Sequence, residues 1–170
     1  MGDMSKRRPK APKDTDERET PRELFDFLTA RYGHLRLDVC ATRENSKCSD
    51  WYTVESNGLD DSWWQPWWCN PPYSGIAAWV EKAKTATAPG LMLVPLAAET
   101  EWWREAWSTA TECAFLSPRV QFLKDGRPIM TLDKRTGKMK KGSVAFGSAV
   151  FVFGPRLVDG PPRVGVLRWK

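Results

Sequence analysis

Histidine is nearly missing from this 170-residue sequence: His34 stands alone beside four cysteines, Cys40, Cys48, Cys69 and Cys113, and no two of these form a Cys-x-x-Cys pair. That donor set argues against a structural zinc site, so no metal is expected. His34 reads as a surface or helix-end residue rather than a catalytic base. There is no secretory signal, and no apolar run approaches the roughly 18–20 residues that a bilayer crossing needs. The chain is therefore expected to be soluble, without a membrane partner, in a reducing cytoplasm where its thiols stay free. A phosphate-cradling glycine motif is also missing, which counts against an unrelated nucleotide-binding enzyme.

What is present fits one folded domain with a core of its own. The net charge is +5. That suits a polyanionic partner, although many soluble proteins are mildly basic. There are ten tryptophans. Trp63, Trp64, Trp67 and Trp68 crowd the approach to a double proline, while Trp102, Trp103 and Trp107 share a later segment. The sequence alone does not divide them between the core and the wall of a pocket for flat rings.

Residues 1–19 are polar and lysine-, arginine- and acid-rich, and read as a disordered arm. Lys6, Arg7, Arg8, Lys10 and Lys13 there suit either phosphate contact or solubility. Residues 20–170 form the single domain. Thr20 as N-cap, Pro21 at the first helical position and Glu23 at capping-box spacing open a helix. Leu24, Phe25, Leu28 and Tyr32 continue it to Gly33. Leu35, Leu37 and Val39 alternate with Arg36 and Asp38 as a first strand. Ligands of open α/β sheets bind beyond the carboxyl ends of strands, which puts Asp38, Cys40 and Ala41 near a cofactor. From Asp38 to Asn70 there is too little chain for two full strand–helix units.

Next come a helix on Ile76, Trp79, Val80 and Ala83, a fully apolar strand Leu91–Leu96, a helix over about 100–108, and a strand from Cys113. From Arg119 to Lys141 the balance turns basic: Arg119, Lys124, Arg127, Lys134, Arg135, Lys138, Lys140 and Lys141 face only Asp125 and Asp133. Asp125-Gly126 and Thr136-Gly137 signal turns, so a basic β-hairpin or loop insert over about 119–143 is expected. It reads either as a solvated loop or as a nucleic-acid contact. Val144 to Phe153 forms a last strand, and a short basic tail comes after it.

The chain is organised around Asn70-Pro71-Pro72-Tyr73. Two prolines lack backbone donors and fix φ, so their carbonyls project from a rigid turn. Asn70 adds a side-chain acceptor and Tyr73 a flat ring. Two acceptors, the Asn70 side chain and the Pro71 carbonyl, suit the two hydrogens of an exocyclic amine on adenine or cytosine. Tyr73 suits the base, since stacking contributes roughly 1–3 kcal/mol per base. The bland alternative is a Pro-Pro turn that merely ends a buried strand.

In this setting Asn70-Pro71-Pro72-Tyr73 resembles the catalytic motif of S-adenosylmethionine-dependent amino-methyltransferases. The wider pattern resembles the phage and prophage DNA N6-adenine methyltransferases of the phage Dam type. It includes Thr20-Pro21, Leu24-Phe25-Asp26, Leu37 to Ala41, Asn45, Lys47-Cys48, Gly58-Leu59, Trp79 to Lys82, Leu93 to Leu96, Thr100, Trp102-Trp103 and Phe115 to Phe122. The resemblance implies that Thr20 meets the carboxylate end of the methyl donor, though capping explains that residue without a ligand. Asp38 is then the anchor for the methionine part. The ribose-binding acid has no obvious home; Asp50, Asp60 and Asp61 are the candidates, with Asp60 or Asp61 named for it. The set expected at S-adenosylmethionine is thus Thr20, Pro21, Asp38, Cys40, Ala41, Asp60 and Asn70.

The expected fold is α/β, a Rossmann-like class I methyltransferase domain with a compact, truncated, mostly parallel sheet and an antiparallel last strand. The expected activity is methyl transfer to adenine N6 in DNA, with the base flipped out or single-stranded, in a bacterial host's cytoplasm. Cytosine N4, RNA or a protein glutamine are the rival substrates. A non-catalytic nucleic-acid-binding module is the rival of another class. Target sequence and oligomeric state stay open.

Overall fold

The computed structural model describes residues 16–142, 144, 146–155 and 161–170. Most of the expected arm, including Lys6 to Lys13, lies outside the described residues.

The first helix, α1, spans Arg22–Tyr32, and Gly33 at φ 104 closes it by donating its N–H to Thr29. Its start differs from expectation. Pro21 is the cap residue and no side chain caps the helix; the Pro21 carbonyl accepts from Leu24 and Phe25 instead. Thr20 is released from capping, and its hydroxyl is buried without a partner. Strands β1 (Leu37–Asp38), β2 (Asp50–Trp51) and β3 (Trp67–Cys69) come next, then a 3₁₀ turn at Tyr73–Gly75 and α2 (Ile76–Lys84). After these lie β4 (Gly90–Pro95), α3 (Glu101–Thr109) and β5 (Glu112–Ser117).

Two small hairpins interrupt the sheet: β6 (Leu123–Lys124) with β7 (Arg127–Pro128), and β8 (Met130–Leu132) with β9 (Met139–Lys141). Asp125 and Gly126 turn the first of them with φ of 51 and 70, the left-handed pair that a two-residue hairpin turn requires. Strands β10 (Ser148–Phe153) and β11 (Arg163–Arg168) complete the chain.

The main sheet has seven strands in the order β11-β5-β10-β4-β3-β1-β2. Every pairing is parallel except those of β10, which runs against both β4 and β5. The antiparallel strand was expected, but it is not the last one. The segment read as a basic tail adds β11 beside β5 as an edge strand, with Leu167 buried and Arg168 exposed. An edge strand needs only one apolar face, and the glycine and prolines around Val164 and Val166 hid that pattern.

Side chains alternate across the sheet. Trp67, Cys69, Met92, Val94, Phe151 and Phe153 pack with α2 and α3 on one face, while Trp68, Leu91, Leu93, Val150 and Leu167 pack with α1 on the other. The result is a three-layer sandwich. Close packing within the sheet explains one glycine: Gly90 lies opposite Trp67 across β3 and β4, and a Cβ there would be 2.0 Å from the Trp67 ring. It also settles the tryptophans. Trp63, Trp67, Trp68, Trp79, Trp103 and Trp169 are core, whereas Trp64 is exposed.

Candidate active site

Strand β3 delivers the chain to the sheet's carboxyl edge at Cys69. Pro71 and Pro72 have no N–H to extend a ladder, so the chain leaves the sheet and turns, with Gly75 donating to Pro72. The Asn70 amide nitrogen donates to the backbone carbonyl of Arg18, and its Oδ1 is buried with no partner. The Tyr73 ring meets Phe122 and Phe146 edge-on, at centroid distances of 6.4 and 5.8 Å. Over both Tyr73 and Phe146 lies the Arg18 guanidinium, 5.4 and 5.2 Å from the ring centres. Burial raises the Tyr73 phenol well above its ordinary pKa, so the hydroxyl stays neutral; it too is buried and unpartnered.

Next to this corner, at the carboxyl end of β1, Cys40 donates from Sγ to the Asn70 carbonyl at 3.2 Å and lies 3.9 Å from the Cys69 sulfur. Asp38 is 3% exposed and accepts the Lys47 amide at 3.0 Å. Desolvation pushes its carboxyl up to about 6 from 3.8, against the hydrogen bonds that favour the charged form. Ala41 is buried, with its N–H on the Tyr52 carbonyl. Asp60 is exposed and accepts from the Asn57 amide at 2.7 Å within a turn. The structure thus brings Asp38, Cys40 and Asn70 to adjoining strand ends; Asp60 is exposed, two residues beyond Gly58, which packs against the Val39 carbonyl.

Buried polar atoms without partners are costly, about 1–3 kcal/mol each, and so need a reason. Among the described residues there are four: Thr20 Oγ1, Asn70 Oδ1, Tyr73 OH and Ser148 Oγ. Arg18 touches both Asn70 and Tyr73, Thr20 stands two residues further on, and Ser148 pairs with Pro95 at the carboxyl end of β4. These atoms gather at one end of the sheet. A crevice beyond the carboxyl ends of parallel strands is where open α/β sheets take their ligands.

A sequence profile described as DNA N-6-adenine-methyltransferase (Dam) matches residues 7–155. The chain belongs to the Dam family. A DNA N-6-adenine-methyltransferase of Escherichia phage T1 is 32% identical over 146 residues, 78% of this chain and 60% of that protein. Another, from Haemophilus phage HP1, is 28% identical over 120 residues, 66% of this chain and 69% of its own length. The chain spans about three-fifths of the first of these relatives.

The basic segment of this Dam-family chain begins at the same corner. Phe122, against Tyr73, leads into β6, and Leu123 pairs with Glu19. Lys124 is bound to Glu17 at 2.8 Å, and Lys140 to Asp133 at 3.3 Å. Arg119, Arg127, Lys134, Arg135, Lys138, Lys140 and Lys141 are exposed. Among the described residues no group of histidine, cysteine or acidic side chains could hold a metal ion, and no helix is long and apolar enough to cross a membrane.

Sequence reasoning missed Asp16, Arg18, Phe146 and Ser148. Arg18 and Asp16 lay in a stretch with nothing to bury, and Phe146 resembled strand. The tryptophans were candidate pocket walls, but the rings that meet Tyr73 among the described residues are those of two phenylalanines. A cleft lined by Ala83, Lys84, Pro89 and Phe153 opens at the other end of β4, away from the motif.

Proposed function

We propose that this chain transfers a methyl group from S-adenosylmethionine to adenine N6 in DNA, on a compact form of the Rossmann-like class I methyltransferase fold. The observation that carries this reading is the buried, unpartnered Asn70 Oδ1 beside the Tyr73 ring, at the carboxyl edge of a parallel sheet. A buried acceptor without a donor suits an amine hydrogen brought by a substrate.

The donor supplies a methyl on a positively charged sulfur. Thr20, whose buried hydroxyl is likewise free of partners, and Asp38, at the end of β1, fit its amino-acid end. Pro21, Cys40, Ala41 and Asn70 line the approach, with Asp60 as the ribose acid in the same reading. On the substrate side, Asn70 Oδ1 and the Pro71 carbonyl take the two amine hydrogens, which localises the nitrogen lone pair and aims it. Pro72 holds the turn. Tyr73 keeps the ring flat through its face, its neutral hydroxyl taking no part as a base. The work is therefore positioning and amine activation. The exposed cations from Arg119 to Lys141 hold the DNA backbone, and the base is flipped out or taken from a single strand. The relatives' phage origin supports action in a bacterial host's cytoplasm.

The test is labelled methyl transfer to unmodified DNA and then nucleoside analysis. N6-methyldeoxyadenosine is expected. N4-methyldeoxycytidine would move the reading to the other amine, and no transfer with no donor binding in a calorimeter would leave a non-catalytic module. Asn70→Ala should lower kcat by about a hundredfold or more, as loss of one aimed hydrogen bond does, with the melting temperature little changed.

A further inference from the structure

To activate the target amine as the proposed function requires, Asn70 must offer its oxygen, not its nitrogen; the role assigned to the chain upstream rests on that reading. The two ends of an asparagine amide have nearly the same shape, so the partner of the far end decides which end faces the substrate. Here that partner comes from 52 residues upstream: the Arg18 carbonyl accepts from Nδ2, and Oδ1 is left unpartnered.

We propose that residues 16–19 form a strap belonging to the active site, with Arg18 as a positioning residue that fixes the Asn70 amide with its oxygen toward the substrate. The strap is clasped on both sides by bonds that do not involve Asn70. Ser74, in the turn after the motif, donates its N–H and hydroxyl to Asp16 at 2.9 and 2.6 Å. Glu19 exchanges two backbone bonds with Leu123 at 2.8 and 2.9 Å, and its carboxylate accepts the Gly126 amide at 3.2 Å. Glu17 holds Lys124 at 2.8 Å. One end of the strap is thus tied to the catalytic turn and the other to the basic hairpin, which leaves the Arg18 carbonyl little room to drift.

Position 70 is constrained in turn. An aspartate could accept an amine hydrogen as well as asparagine does, but its second oxygen would face the Arg18 carbonyl, acceptor against acceptor. The strap therefore makes the site select asparagine.

The experiment measures kcat at saturating DNA and donor for the full chain, for Asp16→Ala and Asp16→Asn, and for a chain lacking residues 2–18. Each is made with Asn70 and with Asn70→Asp. Donor binding by calorimetry and the melting temperature report on folding. Removing the strap should lower kcat about 10–100-fold, the scale set by a buried donor left without its acceptor, while donor affinity moves less than about threefold. Asp16→Ala should lose several-fold, and Asp16→Asn, which keeps one acceptor for the Ser74 amide, should recover most of it. Asn70→Asp should cost at least about tenfold more in the full chain than in the shortened one, the coupling expected of groups in contact.

An unchanged kcat without the strap, or an equal cost of Asn70→Asp in both backgrounds, overturns the proposal. A rise in kcat also overturns it, because the Arg18 side chain over Tyr73 would then be a plug in the base's place. If the shortened chain fails to fold, the two Asp16 variants decide alone: equal kcat in both and in the parent rejects the strap. The broader reading fails separately, when the unmodified chain transfers no methyl or Asn70→Ala keeps full turnover.

Discussion

Two neighbouring regions at the carboxyl edge of the sheet treat their polar atoms in opposite ways. In the segment between β1 and β3, local bonds pair the polar side chains: Lys47 onto Asp38, Thr42 with Asn45, Ser46 with Cys48, Thr53 with Ser56 and Asn57 onto Asp60. Around the motif turn, Thr20, Asn70 and Tyr73 each keep a buried polar atom with no partner. The first region has no helix and two strands of two residues each, and hydrogen bonds replace the missing regular structure. The second lies at the ends of α1, β3 and α2, regular elements that can carry unpaired groups at a cost. Paired atoms fix the shape of the first region; under the proposed function the unpaired ones of the second receive the ligand.

That contrast can be broken. Tyr73→Ala should lower kcat/KM for DNA by about 10–100-fold if the ring stacks on the base. Tyr73→Phe should stay within a few-fold of the parent and melt no lower, since it removes only an orphaned hydroxyl. Equal losses in methyl-transfer assays would reject a role for the ring.

A smaller effect sharpens the paired side. The Asp38 carboxyl is raised from 3.8 to about 6 by burial, so the folded chain favours its protonated form. Its contribution to stability is full below about pH 4 and is lost as pH rises through about 6. Denaturant unfolding of the parent and of Asp38→Asn across pH 4 to 7.5 should show the variant gaining on the parent by up to about 2–3 kcal/mol with rising pH. A constant difference would mean that Asp38 titrates as an ordinary carboxylate.

The smallest effect concerns the hairpin. Lys138→Gln and Lys141→Gln should each reduce the salt dependence of DNA binding by about one unit of slope, whatever the sequence bound. Loss of affinity at an unchanged slope would separate these lysines from the phosphates.

Much of the frame was legible because each piece carried its own period. Leu91 to Leu96 read as a buried parallel strand; β4 is buried through Val94, parallel to β3 and antiparallel to β10, and Leu96 lies exposed beyond it. Ile76, Trp79, Val80 and Ala83 read as one helix face, and all four are buried. The motif's turn came from two prolines. What stayed hidden depended on partners distant in sequence. Nothing local to Arg18 announces that its carbonyl will meet Asn70, and nothing near Thr20 says that Pro21 will take over as the cap. Val164, Gly165 and Val166 became strand only because β5 offered an edge.

Strand β10 runs against its neighbours between β4 and β5, with Ser148 opposite Pro95. The chain therefore departs from the sheet at Ser117 and rejoins it at Ser148 on the same side, beside the double proline. Among the described residues between those two points none joins the main ladder, yet Leu123 and Lys124 bind Glu19 and Glu17, and Phe146 meets Tyr73. Replacing that stretch would keep every pairing of the main sheet and remove the contacts that hold Glu17, Glu19 and Tyr73 beside Asn70.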